Sequence, residues 1–282
     1  MSVSISEEHF FTGLYSLARK SGLLATAPGQ WLFSKSYFWY KRYVEDAFYA
    51  LHSRYPELFR GGHILDIGAN IGYTCSVFAQ AVETPYSVYG FEPDEFNFRL
   101  LSHFAKSKAV AGRVVPVCAA AGDADGLAEL WRNESHHGDH KIMTAHFRDS
   151  MPSSMCRSVP ILKIDTFVEN QAAKFPVCFI KIDVQGYELA VCKGMERTLE
   201  RNPGAAVALE YTPEGMRVLG FEPRDLLDWF EGRNYEAREI DGDGSLSPAD
   251  VRGINEKAYC NVLFTNRQAG PESGRDRATN IN

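Results

Sequence analysis

The stretch HILDIGANIGYTCSVFAQ, residues 63–80, places an acid, Asp66, at the end of an apolar run, then Gly68, Asn70 and Gly72, then a helical pattern. Glycines in such a turn let the backbone approach a ligand closely. In a doubly wound sheet, ligands gather outside the carboxyl ends of the strands. A diphosphate-binding turn calls for G-x-G-x-x-G, whereas this chain has G-A-N-I-G with an acid beside it. Asp66 would repel a diphosphate and suit a cationic or hydrogen-bond-donating ligand. A second acid, Glu92 in VYGFEPDEFNF, ends the next apolar run. There a carboxylate can accept from both hydroxyls of a ribose, each bond contributing about 1.5–3 kcal/mol. Ribose without diphosphate, plus a positive group near Asp66, describes S-adenosylmethionine better than a nicotinamide dinucleotide. The competing reading is that the glycines only serve strand–helix packing.

Later strand tips carry further candidates. Asp183 follows VCFIKI and Glu210 lies in VALEYTPE. Either could take a proton from an acceptor, because an alcohol is a poor nucleophile until its proton leaves. Helix capping is the alternative for Asp183, and a solvated turn acid the alternative for Glu210. Tyr187 and Tyr211 follow the two tips and are acceptor-side candidates. ESHHGDHKI holds His136, His137 and His140 in a polar loop, where exposed histidines and a loose metal patch are both open. Asp139, Asp183 and Glu210 offer the oxygens that Mg²⁺ favours, a minority alternative to the expectation of no metal. Lys181 shares a strand side with Asp183 and is read as pairing with an acid. EIDGDGSLSPAD, residues 239–250, nearly matches a calcium loop, with Gly244 sixth and Asp250 twelfth. It begins with Glu239 and its flanks read as strands, so a plain hairpin loop is expected.

These residues need a scaffold. Strand-like runs at 63–67, 86–91, 114–118, 177–182 and 205–209 alternate with helical patterns near 72–82, 94–106, 186–201 and 214–232. Near-continuous apolar strands separated by helices predict a parallel sheet covered on both faces. NYEAREI and AYCNVLFTN predict an antiparallel hairpin on one edge. Residues 127–165, with strand-like LAELW and SVPILKI, read as an insertion that shapes an acceptor site. Before the sheet, residues 5–20 and 31–60 read as helices. The second bears the aromatic stripe Trp31, Phe33, Tyr37, Phe38, Trp39, Tyr40 and Tyr43, either packed on the sheet or forming an acceptor wall. The division expected is a helical extension over 1–60, a catalytic domain over 61–265 and a disordered tail over 266–282.

The 282 residues carry a net charge of −6, which argues against a large nucleic-acid surface. Six cysteines with no CxxC pair read as buried reduced thiols in a cytoplasmic protein. Neither a signal peptide nor a membrane span is expected.

ILDIGANIGYT, GFEPDEFN, IKIDVQGYELAVCKGM and NVLFTN together resemble the FkbM family of S-adenosylmethionine-dependent methyltransferases, over about residues 43 to 265. The resemblance implies a class I, Rossmann-like α/β fold with a seven-stranded, mostly parallel sheet and an antiparallel C-terminal hairpin. It implies S-adenosylmethionine as cofactor, S-adenosylhomocysteine as product, and methylation of a hydroxyl on a small molecule or sugar. Gly138-Asp139-His140 resembles a recurring element of the family, which adds His140 to the catalytic candidates. The family commonly has Glu where this chain has Gln185. The expected cofactor-binding set is Asp66, Gly68, Ala69, Asn70, Gly72, Thr74, Glu92, Pro93, Asn97, Ala120 and Asp183. Alternative readings are N-methylation, nucleic-acid methylation, or a cofactor-binding scaffold without catalysis. The sequence leaves homo-oligomerisation open.

Overall fold

The computed structural model describes residues 47–110, 112–133, 138–150, 153–171, 175–250 and 253–268, with 26, 28, 29, 32, 35, 36 and 38. The helix expected over 5–20, the tail beyond 268, His136, His137 and all of the aromatic stripe but Phe38 lie outside the described residues. Phe38 packs edge-to-face on Tyr73 and Phe104, as the packing reading of the stripe requires.

The chain enters through α1 (Ala47–Arg54), which a 3₁₀ turn at Pro56–Phe59 ends. Then follow β1 (His63–Ile67), α2 (Tyr73–Ala81), β2 (Val88–Phe91), α3 (Glu95–Ala105) and β3 (Val114–Val117). The next segment holds β4 (Ala120–Ala121), β5 (Gly126–Trp131), β6 (Lys141–Ile142), α4 (Ala145–Arg148), β7 (Cys156–Leu162) and α5 (Ile164–Glu169). The chain returns with β8 (Val177–Ile182), α6 (Glu188–Lys193), α7 (Glu196–Arg201), β9 (Ala206–Tyr211), α8 (Pro213–Val218) and α9 (Pro223–Glu231). It closes with β10 (Tyr235–Ile240), β11 (Leu246–Pro248) and β12 (Cys260–Asn266).

The main sheet runs β11-β10-β12-β9-β8-β1-β2-β3. β3, β2, β1, β8 and β9 are parallel, and β12, β10 and β11 are antiparallel. This is the class I α/β arrangement, with one correction: among the described residues the sheet has eight strands rather than seven, because three residues of the β10–β12 connection add β11. Both outer strands, β3 and β11, contain a proline, Pro116 and Pro248. All six residues of β8 are buried, as a strand covered on both faces demands. One face packs on Phe59, Phe78 and Phe179, with Phe59 and Phe179 rings 4.4 Å apart. The other holds Phe230 stacked on Phe264 at 3.8 Å.

The expected insertion builds a second sheet, β4-β7-β5-β6. Two expected helices are each split in two. The run 186–201 breaks at Gly194, where a side chain would lie 1.9 Å from the Gly122 carbonyl oxygen; Asp165 then caps α7 by accepting from the Thr198 backbone N–H at 2.8 Å. The run 214–232 breaks at Gly220 and restarts on Pro223. The calcium-like stretch forms the β10–β11 hairpin loop, and Arg54 donates to the Asp243 carbonyl and carboxylate from α1. Four cysteines are buried, Cys156 is half-buried, Cys118 is exposed, and none is paired. Among the described residues no helix is long and apolar enough to cross a membrane.

Phe264 packs in the middle of the main sheet, so Phe264→Ala should lower the unfolding free energy by about 3–5 kcal/mol in urea titrations. A loss below about 1 kcal/mol would show that the stacked pair is not a keystone of this face.

Candidate active site

The site begins at the tip of β1. The N–H groups of Gly68 and Ala69 both donate to the Phe91 carbonyl, at 3.1 and 2.9 Å, which locks the turn against β2. Gly68 has φ +80°, and a Cβ there would lie 1.8 Å from the Asp183 carbonyl oxygen. Only glycine lets the β1 and β8 tips close on each other. Beyond the turn, the Asn70 N–H donates to Glu92 Oε2 at 2.9 Å and the Asp94 N–H donates to Oε1 at 2.8 Å. Burial pushes the Glu92 carboxyl up to about 8, against the lowering effect of those N–H donors. Asp94 caps α3 through the Phe96 and Asn97 N–H groups, and Arg132 Nε forms an ion pair with it at 2.8 Å.

Between the β1 and β8 tips lies Lys181, almost fully buried. Its Nζ donates to the Gly68 carbonyl at 3.0 Å and stands 3.4 Å from both Asp66 Oδ1 and Asp183 Oδ2. Burial opposes its charge, but Asp183, Asp66 and Glu210 outweigh that and hold Lys181 above its usual range. Asp66 has no exposed surface. It accepts from the Thr74 hydroxyl at 2.6 Å and the Cys75 thiol at 3.1 Å.

After Asp183 the chain makes a tight turn. The Gln185 amide donates to Asp183 Oδ1 at 2.8 Å and to Glu210 Oε2 at 3.2 Å. Glu188, in the first turn of α6, accepts from the Val184 and Gly186 N–H groups at 3.1 Å each. Its Oε2 is buried without a hydrogen-bond partner among the described residues. Burial, with Asp183 adding to it, raises the Glu188 carboxyl to about 7. Sequence reasoning missed Glu188. The available signal was an acid in the first turn of a helix directly after a strand tip, where free N–H groups attract it.

The second sheet walls the opposite side. Leu130 and Ile142 from it, and Gly138 and His140 from the β5–β6 connection, face the tips across an open cleft. Of the expected site residues, Gly68, Asn70, Glu92, Pro93, Asn97, Ala120, His140, Asp183 and Tyr187 line this cleft. No Lys or Arg lines it, and Glu92 and Asp183 are its only carboxylates among the described residues.

Several expectations are corrected. Asp66 does not face the cleft; it is turned inward to Thr74, Cys75 and Lys181, whereas Asp183 lines the cleft. Thr74 serves that inward pairing, and neither Ala69 nor Gly72 reaches the cleft wall. Gly72 instead lets Leu101 and Phe104 pack closely, since a Cβ would lie 2.8 Å from the Leu101 side chain. Tyr211 is fully buried and its hydroxyl donates to Asn255 Oδ1 at 2.6 Å, so it is a core residue. Glu210 is set back from the cleft and reaches it through Gln185. Asp139 pairs with Lys141 at 2.7 Å, and the Gln185 amide bridges Asp183 and Glu210. Among the described residues no three potential ligands gather for a metal. His140 Nδ1 accepts from the Asn133 N–H at 3.1 Å. Its Nε2 stands 3.9 Å from Asp94 Oδ2.

A family model described as the Methyltransferase FkbM domain matches residues 66–237. The hexuronic acid methyltransferase AglP of Haloferax volcanii is 29% identical over 136 residues, which cover 48% of this chain and 50% of AglP. The chain thus spans about half the length of the curated relative it matches. Two solved structures resemble it more distantly. The O-methyltransferase from Bacillus cereus in complex with SAH is 14% identical, covers 77% of this chain and 80% of its own, and has a TM-score of 0.43. The O-methyltransferase TomG from Streptomyces achromogenes in complex with SAM is 12% identical, covers 77% and 78%, and has the same TM-score of 0.43.

Removing Lys181 would strand two acids at the strand tips. Lys181→Met should cost about 3–5 kcal/mol of stability by chemical denaturation. Asp66→Asn in the same chain should recover part of that loss, and no recovery would refute the pairing.

Proposed function

The chain belongs to the FkbM family of S-adenosylmethionine-dependent methyltransferases, and on that premise we propose that it methylates a hydroxyl of a sugar, glycan or similar small molecule. The observation that carries this reading is the cleft's lining: Glu92 and Asp183 supply acceptor oxygens to it, and among the described residues no Lys or Arg lines it. Such a wall offers a diphosphate no cationic partner and offers the hydroxyls of an adenosyl group acceptors. The residues fit that cofactor. Glu92 can accept from ribose hydroxyls, Gly68 leaves the turn open to close approach, and Pro93, Asn97 and Ala120 line the same part of the wall. When bound, S-adenosylmethionine supplies a methyl group on a sulfonium, a leaving group already activated for displacement.

This chain's own contribution is placement and proton transfer. Aligning the acceptor oxygen can supply several kcal/mol, up to about 7–11 in the best cases. Asp183 is the base: half-buried, on the cleft wall, and at the tip of β8. It takes the hydroxyl proton as the oxygen gains its methyl group. His140 orients the acceptor, and Tyr187, half-buried on the same wall, packs against it. The name of AglP points to a sugar acid. Asp183, with Glu210 linked behind it through Gln185, disfavours an approaching carboxylate and so favours a hydroxyl as the oxygen that is methylated. Incubation with labelled S-adenosylmethionine and a panel of neutral and acidic glycans, followed by mass spectrometry, tests this. Label on carboxyl groups alone would overturn the hydroxyl assignment.

Asp183→Asn should lower kcat by about 10²–10⁴ while leaving S-adenosylhomocysteine affinity within about threefold of wild type. Full turnover would remove Asp183 from the mechanism.

Glu92→Ala should weaken S-adenosylhomocysteine at least about tenfold by calorimetry, the equivalent of one lost charged hydrogen bond. The raised Glu92 carboxyl adds a pH signature. Ribose donors favour the ionised form, so binding expels a proton below about pH 8. Affinity should climb with pH towards about 8 and level off above it, with heats that depend on the buffer's ionisation enthalpy. A pH-independent affinity would contradict Glu92 as the ribose acceptor.

A further inference from the structure

Gln185 adopts φ +57° and Gly186 follows at φ +104°. Two successive positive φ values, closed by the Tyr187 N–H on the Val184 carbonyl at 3.4 Å, form a turn that prefers Asn or Gly first. A glutamine there is strained, and such strain persists where the surroundings over-determine it, often at working sites. Three contacts do so here. The amide nitrogen reaches Asp183 Oδ1 at 2.8 Å and Glu210 Oε2 at 3.2 Å. The backbone carbonyl accepts from Lys141 Nζ at 3.3 Å, and Lys141 belongs to β6 of the second sheet. Gly186 is clamped by Glu188 from below, and a Cβ on it would lie 2.4 Å from the Gly215 carbonyl oxygen. Carboxylate oxygens accept these bonds, so the group between Asp183 and Glu210 is the NH₂ end of the amide.

We propose that Gln185 is a positioning residue for methyl transfer: its two N–H bonds, one to each acid, fix the direction in which Asp183 faces the acceptor hydroxyl. The role rests on the methyltransferase reading above. It explains why a strained glutamine stands where glycine or asparagine would relax the backbone: neither can span both acids. It also makes the second sheet part of the device, because Lys141 on β6 holds the carbonyl of the same residue. The aim of Asp183 thus depends on contacts from β8, β9 and β6 together.

Three substitutions test this. Q185M keeps the length but donates nothing, and kcat should fall about 10–100-fold, the scale of a small misplacement, with S-adenosylhomocysteine affinity within about threefold of wild type. Q185E puts a third carboxylate beside the two, which should hold a shared proton more tightly. The acid limb of its kcat–pH profile should move up by on the order of one unit. Q185G relaxes the turn and loses the bridge, so its Tm should be no lower than wild type while kcat falls as in Q185M. That split between stability and turnover is what a purely structural glutamine would not give. Wild-type turnover is read first. If wild type transfers methyl groups and both Q185M and Q185G keep full kcat with an unmoved pH profile, the positioning role is overturned alone. If wild type binds S-adenosylhomocysteine but methylates no acceptor, the underlying reading falls and the positioning role with it.

Discussion

The whole site hangs on one buried ammonium. Lys181 stands between β1 and β8, within 3.4 Å of an acid on each and 3.0 Å from the Gly68 carbonyl. A lone lysine so deeply buried would shed its proton. Here the neighbouring acids reverse that, the one ammonium facing the carboxyls of Asp183, Asp66 and Glu210. Removing either sign would leave an uncompensated charge in low dielectric. The same ammonium touches the Gly68 carbonyl and Asp183. The two strand tips at the cleft are therefore held about a single atom, Nζ, and by the glycine that lets them meet around it.

Much of the scaffold was legible because parallel strands buried on both faces spell themselves out as apolar runs. β1 and β8 fall where the sequence predicts them, to the residue. The two long helices were overrun because their breaks come from tertiary contact. Nothing within ELAVCKGMERTLER tells that the chain meets Gly122 at Gly194. The second sheet was only half legible, since its strands bury one face and alternate weakly. Asp66 shows a different limit. Spacing places an acid at a strand tip but not the direction of its side chain, and its partner Lys181 lies far along the chain. Tyr211 failed for the same reason, since its position after a strand tip does not reveal the Asn255 side chain that receives its hydroxyl. Gln185 was noted only as a departure from a familiar pattern, because its role needs two acids from two strands at once.

Glu92 and Glu188 form a matched pair beneath the cleft. Each clamps backbone N–H groups of a loop beside a strand tip, and each is raised by burial, to about 8 and about 7. For an acid raised in the folded state, the stabilising contribution is complete below the unfolded value and fades as pH climbs through the folded one. The fold thus carries a standing cost near neutrality at the two places where loops meet the cleft. Such local instability is expected where a protein is shaped for a ligand rather than for its own stability.

The prolines on the outermost strands have a further consequence. Pro116 and Pro248 each remove one N–H from a rim of the main sheet, so neither rim presents an unbroken row of donors to a second molecule. Sheets exposed this way resist stacking side by side into extended ribbons. Strand-to-strand polymerisation through these rims is thereby disfavoured.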